Sequence, residues 1–172
     1  PTWYFCPNCR SFKTLKEWEK DYKVKNGEDA VMKMPVCCSS KHKYRTKLAP
    51  ARLIVVCENG HIDDFPWIEW THLKDHKKIC DNPQLIIKTS GVSSGLEGIT
   101  VECKTCNARI SLSGTFTNSD KNEFEILEEK AKKESKGKEK LVEDNFSLKC
   151  RGNRPWDGTK DEECGLYPTT VQ

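Results

Sequence analysis

The sequence predicts a small, irregular α+β module of short β-ribbons, of zinc-ribbon or knuckle type, with a few helices, stapled by metal in place of a large apolar core. Three observations carry that expectation. Hydrophobic residues make up 35% of the chain and charged residues 32%, whereas an ordinary globular domain is roughly 45–50% apolar. Ten cysteines stand among 172 residues, two C-x2-C pairs among them, with histidines interleaved, a pattern that suits thiolate and imidazole cages better than a disulfide framework. The apolar runs are short, none near the roughly 20 residues needed to cross a bilayer. With no signal peptide at the start, the expectation is a cytoplasmic protein with no membrane partner and no small-molecule substrate. The net charge of +3 is too mild to argue for nucleic-acid binding by itself. A chain that starts at Pro1, directly before Trp3-Tyr4-Phe5, reads as a fragment of a longer protein.

Trp3 to Arg10 reads as a strand running into Cys6-Pro-Asn-Cys9, the tight turn that offers two thiolates to one ion. Leu15, Trp18 and Tyr22 fall at helical spacing over Leu15–Val24, and Asn26-Gly27 stops that helix. Cys37, Cys38 and His42 then offer the missing ligands. Successive side chains on an extended backbone point to opposite sides, so Cys38 with His42 is geometrically easy, while a ligand count favours Cys37 with Cys38. Both remain open. From Lys41 to Arg52 runs a basic segment interrupted by Tyr44, read either as a contact for phosphate or an acidic partner, or as a solvated loop.

Leu53–Val56 reads as a buried strand that delivers Cys57 and His61 across the Asn59-Gly60 turn. Asp63 and Asp64 are candidate N-caps for a helix beginning near Phe65, with Pro66 in its first turn. Trp67, Trp70 and Leu73 give that helix an inward ridge, and His72 is expected to return to the ion held by Cys57 and His61, with Cys80 closing the set. His76, four residues after His72, is the rival to Cys80. If the central site takes two Cys and two His, eight Cys remain for two four-Cys sites.

Gln84–Thr89 is a strand candidate, followed by a Gly/Ser turn at Ser90–Gly98. Thr100–Glu102 leads into Cys103-Lys-Thr-Cys106, and Arg109–Leu112 returns as the second strand of a ribbon. The stretch 118–144 is highly charged and interrupted by Gly137; it reads as a helical or mobile insertion in a zinc-binding module made of 1–117 and 145–172. Phe146–Lys149 reads as a strand delivering Cys150, and Cys103, Cys106, Cys150 and Cys164 form the third expected site, for two to three structural Zn2+ ions in all. Arg151, Arg154 and Trp156 are candidates for nucleic-acid contact, with a cation braced on Trp156 as the structural alternative.

Pro50–Trp67, Trp70-Thr-His72, Leu96–Cys103 and Cys150-Arg-Gly-Asn-Arg-Pro-Trp156 together resemble the DrmB family, the helicase-associated proteins of the bacterial DISARM anti-phage system. The resemblance covers most of the chain outside the charged stretch. It implies a zinc-binding accessory subunit that joins a superfamily-two helicase of DrmA type, supports its handling of DNA and serves antiviral defence. The adjacent Cys37-Cys38 departs from the spaced pair expected there, and no catalytic residue carries over.

A metal-dependent enzyme is the competing class. His61-Ile-Asp63 with the second C-x2-C has a faint likeness to HNH nucleases, but those place an acid before the histidine. The zinc deaminase pattern also fails, since position 63 is Asp and no Pro precedes Cys103. Four side-chain ligands close a zinc site to water, so the expectation is no enzyme. A pure protein-interaction module without DNA contact is the second alternative.

Overall fold

The computed structural model describes residues 1–90, 95–116, 120–135, 140–160 and 163–171. In chain order the strands are β1 (Trp3–Phe5), β2 (Ser11–Thr14), β3 (Val36–Cys37), β4 (Thr46–Lys47), β5 (Ala49–Pro50), β6 (Ile54–Val56), β7 (Ile62–Asp64), β8 (Leu85–Thr89), β9 (Ile99–Cys103), β10 (Arg109–Ser111) and β11 (Thr169–Val171). The helices are α1 (Leu15–Asn26), α2 (Trp67–Lys74) and α3 (Glu123–Glu134), with a short 3-10 turn at Leu96–Gly98. The chain is α+β, as its composition led one to expect. Residues 91–94 of the turn expected at Ser90–Gly98, and the interruption at Gly137, lie outside the described residues.

Among the described residues, six strands form one antiparallel sheet in the order β10-β9-β8-β2-β1-β5, three form a second as β11-β6-β7, and β3 pairs with β4. Phe5 faces Phe12, Phe12 faces Leu85, and Leu85 faces Cys103. The Ile87 amide donates to Arg10 O and the Lys104 amide to Gln84 O, so the β1–β2 and β9–β10 hairpin loops, which carry the two C-x2-C turns, leave the large sheet at opposite ends of β8.

Local chemistry explains the helices. Thr14 caps α1 by a reciprocal capping box with Glu17, and Gly27, at φ 104°, closes its end. Helix α2 begins after Pro66, not after an acidic cap: Asp63 and Asp64 are occupied as β7, paired to β6, and Asp64 Oδ1 accepts from the Thr2 amide at 2.8 Å. Asn122 caps α3 by accepting from the Phe124 amide. Phe146–Lys149 is not a strand; its backbone is instead tied to α3.

The main core joins Phe12 of β2 to Phe65, Trp67 and Trp70 around α2, and to Phe124 of α3, by ring contacts of 4.8 to 5.9 Å between centroids. The charged stretch, expected as a helical or mobile insertion, forms α3. Phe124, Leu127, Glu128 and Ala131 recur at helical spacing and are buried, and Leu141 and Val142 join the same core. One apolar stripe suffices to build an otherwise charged helix into the molecule. A second, smaller cluster of Cys6, Trp18, Cys37 and Leu48 forms around the first cysteines.

Candidate metal centres

Each C-x2-C turn is the tip of a hairpin. In the first, the Cys6 amide donates to Ser11 O and the Arg10 amide to Cys6 O, with Arg10 at φ 63°. The second repeats this geometry residue for residue: Cys103 to Ala108 O, Asn107 to Cys103 O, Asn107 at φ 59°. The third turn, between β6 and β7, is one residue shorter. There the Cys57 amide donates to His61 O and the Gly60 amide to Cys57 O, and Gly60 supplies the positive φ of 80°.

Among the described residues three sets of four ligand atoms follow, each with all members within 4.8 Å of one another: Cys6, Cys9, Cys37 and His42; Cys57, His61, Cys150 and Cys164; His72, Cys80, Cys103 and Cys106. Each set is three thiols and one imidazole. Zinc–sulfur bonds of about 2.3 Å and zinc–nitrogen bonds of about 2.0–2.1 Å give a tetrahedron edges of about 3.8 Å between sulfurs and about 3.5 Å between sulfur and nitrogen. Cys9 and Cys37 Sγ stand 3.8 Å apart, Cys80 and Cys103 Sγ 3.6 Å. The sulfur–nitrogen edges are 3.4 Å for Cys6–His42 Nε2, 3.3 Å for Cys57–His61 Nδ1 and 3.4 Å for Cys80–His72 Nε2. All ten cysteines are free thiols, and these separations are far beyond a disulfide bond of about 2.05 Å. The donor sets fit a four-coordinate ion of zinc's size.

The expected ligand types are present, but their grouping is corrected. The central set of Cys57, His61, His72 and Cys80 divides in two, and so does the set of Cys103, Cys106, Cys150 and Cys164. The reason lies in α2, which packs against β9 and β10. It thereby carries His72 to the Cys103–Cys106 turn, away from the β6–β7 tip. Lys77 Nζ donates to Asn107 O, the Arg109 amide to Asp75 Oδ2 and Thr105 Oγ1 to Asn82 O, so the segment after α2 wraps that turn and brings Cys80 to it. The vacated places beside Cys57 and His61 go to Cys150 and Cys164, whose segments are drawn together by a bond from the Cys150 amide to Leu166 O.

His76 does not replace Cys80. The Lys77 amide donates to His72 O and the His76 amide to Leu73 O, the Schellman pattern, with His76 in the left-handed position at φ 53°. The helix has ended, so His72 and His76 no longer share a face, and His76 Nδ1 meets Glu134 at 2.8 Å. At the first site Cys37 and His42 are the ligands, and Cys38 lies outside the cluster. The three sites use nine cysteines and three histidines, where the ligand count had assigned all ten cysteines.

The surroundings prepare one thiolate in each set. Burial raises the Cys9 thiol, but hydrogen bonds from Ser11 and His42 outweigh it and draw it down to about 6. Burial likewise raises Cys103, and amide donors led by Cys106 and Thr105 overcome that, to about 6. A bond from the Leu166 amide lowers Cys164 to about 7. Their neighbours go the other way: burial, compounded by the adjacent thiols, pushes Cys37, Cys80 and Cys150 up to about 12. Such a set needs a cation to ionise fully. His72, fully buried, directs its Nδ1 at the Ile68 carbonyl 2.7 Å away, which leaves Nε2 as the ligand atom. The Gly152 amide and Asn59 Nδ2 donate to Cys150 and Cys164 Sγ. These outer partners carried no recognisable sequence signal.

Arg151, Arg154 and Trp156 lie between the ligands Cys150 and Cys164. Arg151 Nε pairs with Asp63 at 3.2 Å, Arg154 and Thr159 bridge the base of a turn, and Trp156 near its tip is 62% exposed. No helix among the described residues is long and apolar enough to cross a membrane.

The chain is 30% identical over 119 residues to the DISARM protein DrmB of Bacillus paralicheniformis. The match covers 69% of this chain and 19% of that protein, so the chain is DrmB-like while spanning about a fifth of the curated relative. A family model described as "Domain of unknown function (DUF8724)" matches residues 1–172, and the chain belongs to that family.

Proposed function

We propose that the chain is the non-catalytic, zinc-stabilised portion of a DrmB-like subunit, cytoplasmic and acting in bacterial anti-phage defence. In this reading it scaffolds a complex with a superfamily-two helicase of DrmA type and supports that complex's hold on DNA. The observation that carries the structural half is the presence of three separate Cys3His sets with tetrahedral edge lengths. Sulfur-rich, four-coordinate sites suit zinc above other common metals, and a site closed by four side chains leaves no position for a reacting water. Nδ1 of His61, the residue an HNH-type reading would cast as base, faces Cys57 Sγ. The link to defence and to a helicase partner is supported by the similarity to DrmB.

Elemental analysis of the purified chain tests the first half, with an expected content of three zinc per chain. A content below two, or iron in place of zinc, overturns it. Co-expression with the helicase tests the second half: the pair is expected to co-purify, and to separate when a chelator strips the metal.

A further inference from the structure

We propose that the hairpin holding the first metal cluster, β3–β4 with its 38–45 loop, is a contact site for single-stranded nucleic acid. Tyr44 serves as the stacking face, and Lys41, Lys43 and Lys47 meet the phosphates. The proposal rests on the reading of the chain as part of a DNA-handling complex and names the surface that reading leaves open.

Charge is the first ground. Between Asp29 and Glu58 the sequence has no acidic residue and six basic ones, Lys33, Lys41, Lys43, Arg45, Lys47 and Arg52, whereas the whole chain amounts to +3. A filled Cys3His site adds about one negative charge, which six cations outweigh. Lys41, Lys43 and Lys47 are exposed and form no ion pair among the described residues. Of the three acids on α1, Glu17 is taken up by the Thr14 cap and Asp21 by Lys13, which leaves the exposed Glu19 against six cations.

The second ground is an exposed ring on a rigid support. Tyr44 is 75% exposed, an unusual state for so large an aromatic residue, and Lys43 Nζ stands 5.5 Å from its centroid. The hairpin beneath is fixed at several points: His42 reaches the metal cluster, and Asn8 Nδ2 donates to Thr46 Oγ1. Arg45 donates to Asn26 Oδ1 and stacks over Tyr22. Between the first C-x2-C turn and this hairpin lies an open cleft of about 520 Å³, lined by Asn8, Lys41, Lys43, Tyr44 and Thr46 and floored by the cluster ligands Cys9 and His42. An exposed ring on a tied-down hairpin, flanked by exposed cations, is the arrangement that binds unstacked bases and their backbone; a duplex offers no free base face to it.

The Trp156 turn is the weaker candidate. Arg151 is already paired with Asp63, and Asp157, Asp161, Glu162 and Glu163 outnumber Arg151, Arg154 and Lys160 along that segment.

Fluorescence anisotropy of the metal-loaded chain with a labelled twelve-residue oligothymidylate, and with a duplex of the same length, tests the proposal. Tyr44→Ala is expected to weaken single-strand binding about tenfold, with little change on the duplex, and Tyr44→Phe to retain it. Lys41→Glu combined with Lys43→Glu should flatten the logarithmic salt dependence by about 1.4, and Trp156→Ala should bind as wild type. Zinc content, measured for every variant, confirms that the cluster survives; if Tyr44→Ala lost metal, Tyr44→Phe and the lysine pair would decide. The proposal is overturned if wild type does not bind the single strand at low salt, if Tyr44→Ala binds as wild type, or if Trp156→Ala carries the loss. An acidic protein partner at this surface would appear as helicase co-purification lost in the lysine variants without any oligonucleotide binding, which also overturns it. A null result here leaves three zinc ions and helicase association standing, so the two readings fail separately.

Discussion

Successive side chains on extended backbone diverge, and the adjacent thiols of Cys37 and Cys38 show the consequence. Cys37 is buried in the first cluster, whereas Cys38 lies outside it and its carbonyl accepts from Lys25 Nζ at 2.6 Å. Cys38→Ser should therefore keep three ions per chain, and His42→Ala should lose one. The regrouping of the other two sites is open to the same approach. With cadmium-113 in place of zinc, Cys150→Ser should abolish the resonance that His61→Ala abolishes, and His72→Ala should remove a different one. Pairing of Cys150 with the Cys103 site would show itself as loss of the same resonance in Cys150→Ser and His72→Ala.

Elements decide what single residues cannot. The C-x2-C turns were legible because their chemistry is local: two thiols, a hairpin and a left-handed residue all lie within six positions. Which histidine joins which turn was not legible, because it depends on the hairpin against which α2 packs. His61 and His72 are eleven residues apart in sequence and serve different sites. The role of α3 was hidden for a related reason, its buried stripe being only Phe124, Leu127 and Ala131 with Glu128 among them, in a charged background. Within that stripe Glu128, 4% exposed, receives the Leu148 amide at 2.7 Å and pairs with Lys132. It thereby fixes the segment that delivers Cys150. Burial raises its carboxyl, but Lys132 and the Leu148 amide prevail and hold it below the usual range. That contribution is present above the ordinary carboxylate pKa and is lost as pH falls through the lowered one. Glu128→Ala strands a buried amide and should cost about 1–3 kcal/mol in chemical denaturation. It should also release zinc from the Cys150 site before the others; release in the wild-type order would refute this role.

For the whole molecule, the order in which ligands occur along the chain sets how it comes apart. The His72–Cys106 site is nested inside the span of the Cys57–Cys164 site; Cys80, Cys103 and Cys106 of the former belong to or pack on the main core, and the latter hangs from β6 and the segment before Cys150, whose Val55 and Leu148 are in that same core. Opening either one loosens the elements that hold the other. The first site has all its ligands within residues 6 to 42 and a separate small core around Trp18, whose Nε1 donates to Tyr4 O. In zinc-finger peptides metal binding supplies roughly 10–16 kcal/mol, as much as the whole stability of an ordinary domain, about 5–15 kcal/mol, so each ion governs the region it joins. Pulsed thiol labelling during chelation, read by mass spectrometry, should therefore show three classes. Cys38 reacts at once. Cys6, Cys9 and Cys37 react in one phase, and Cys57, Cys80, Cys103, Cys106, Cys150 and Cys164 react together in another, accompanied by the loss of buried tryptophan fluorescence from Trp67 and Trp70. The six labelling as two independent groups of three would mean that the nested sites are not coupled, and that the large core holds without one of its ions.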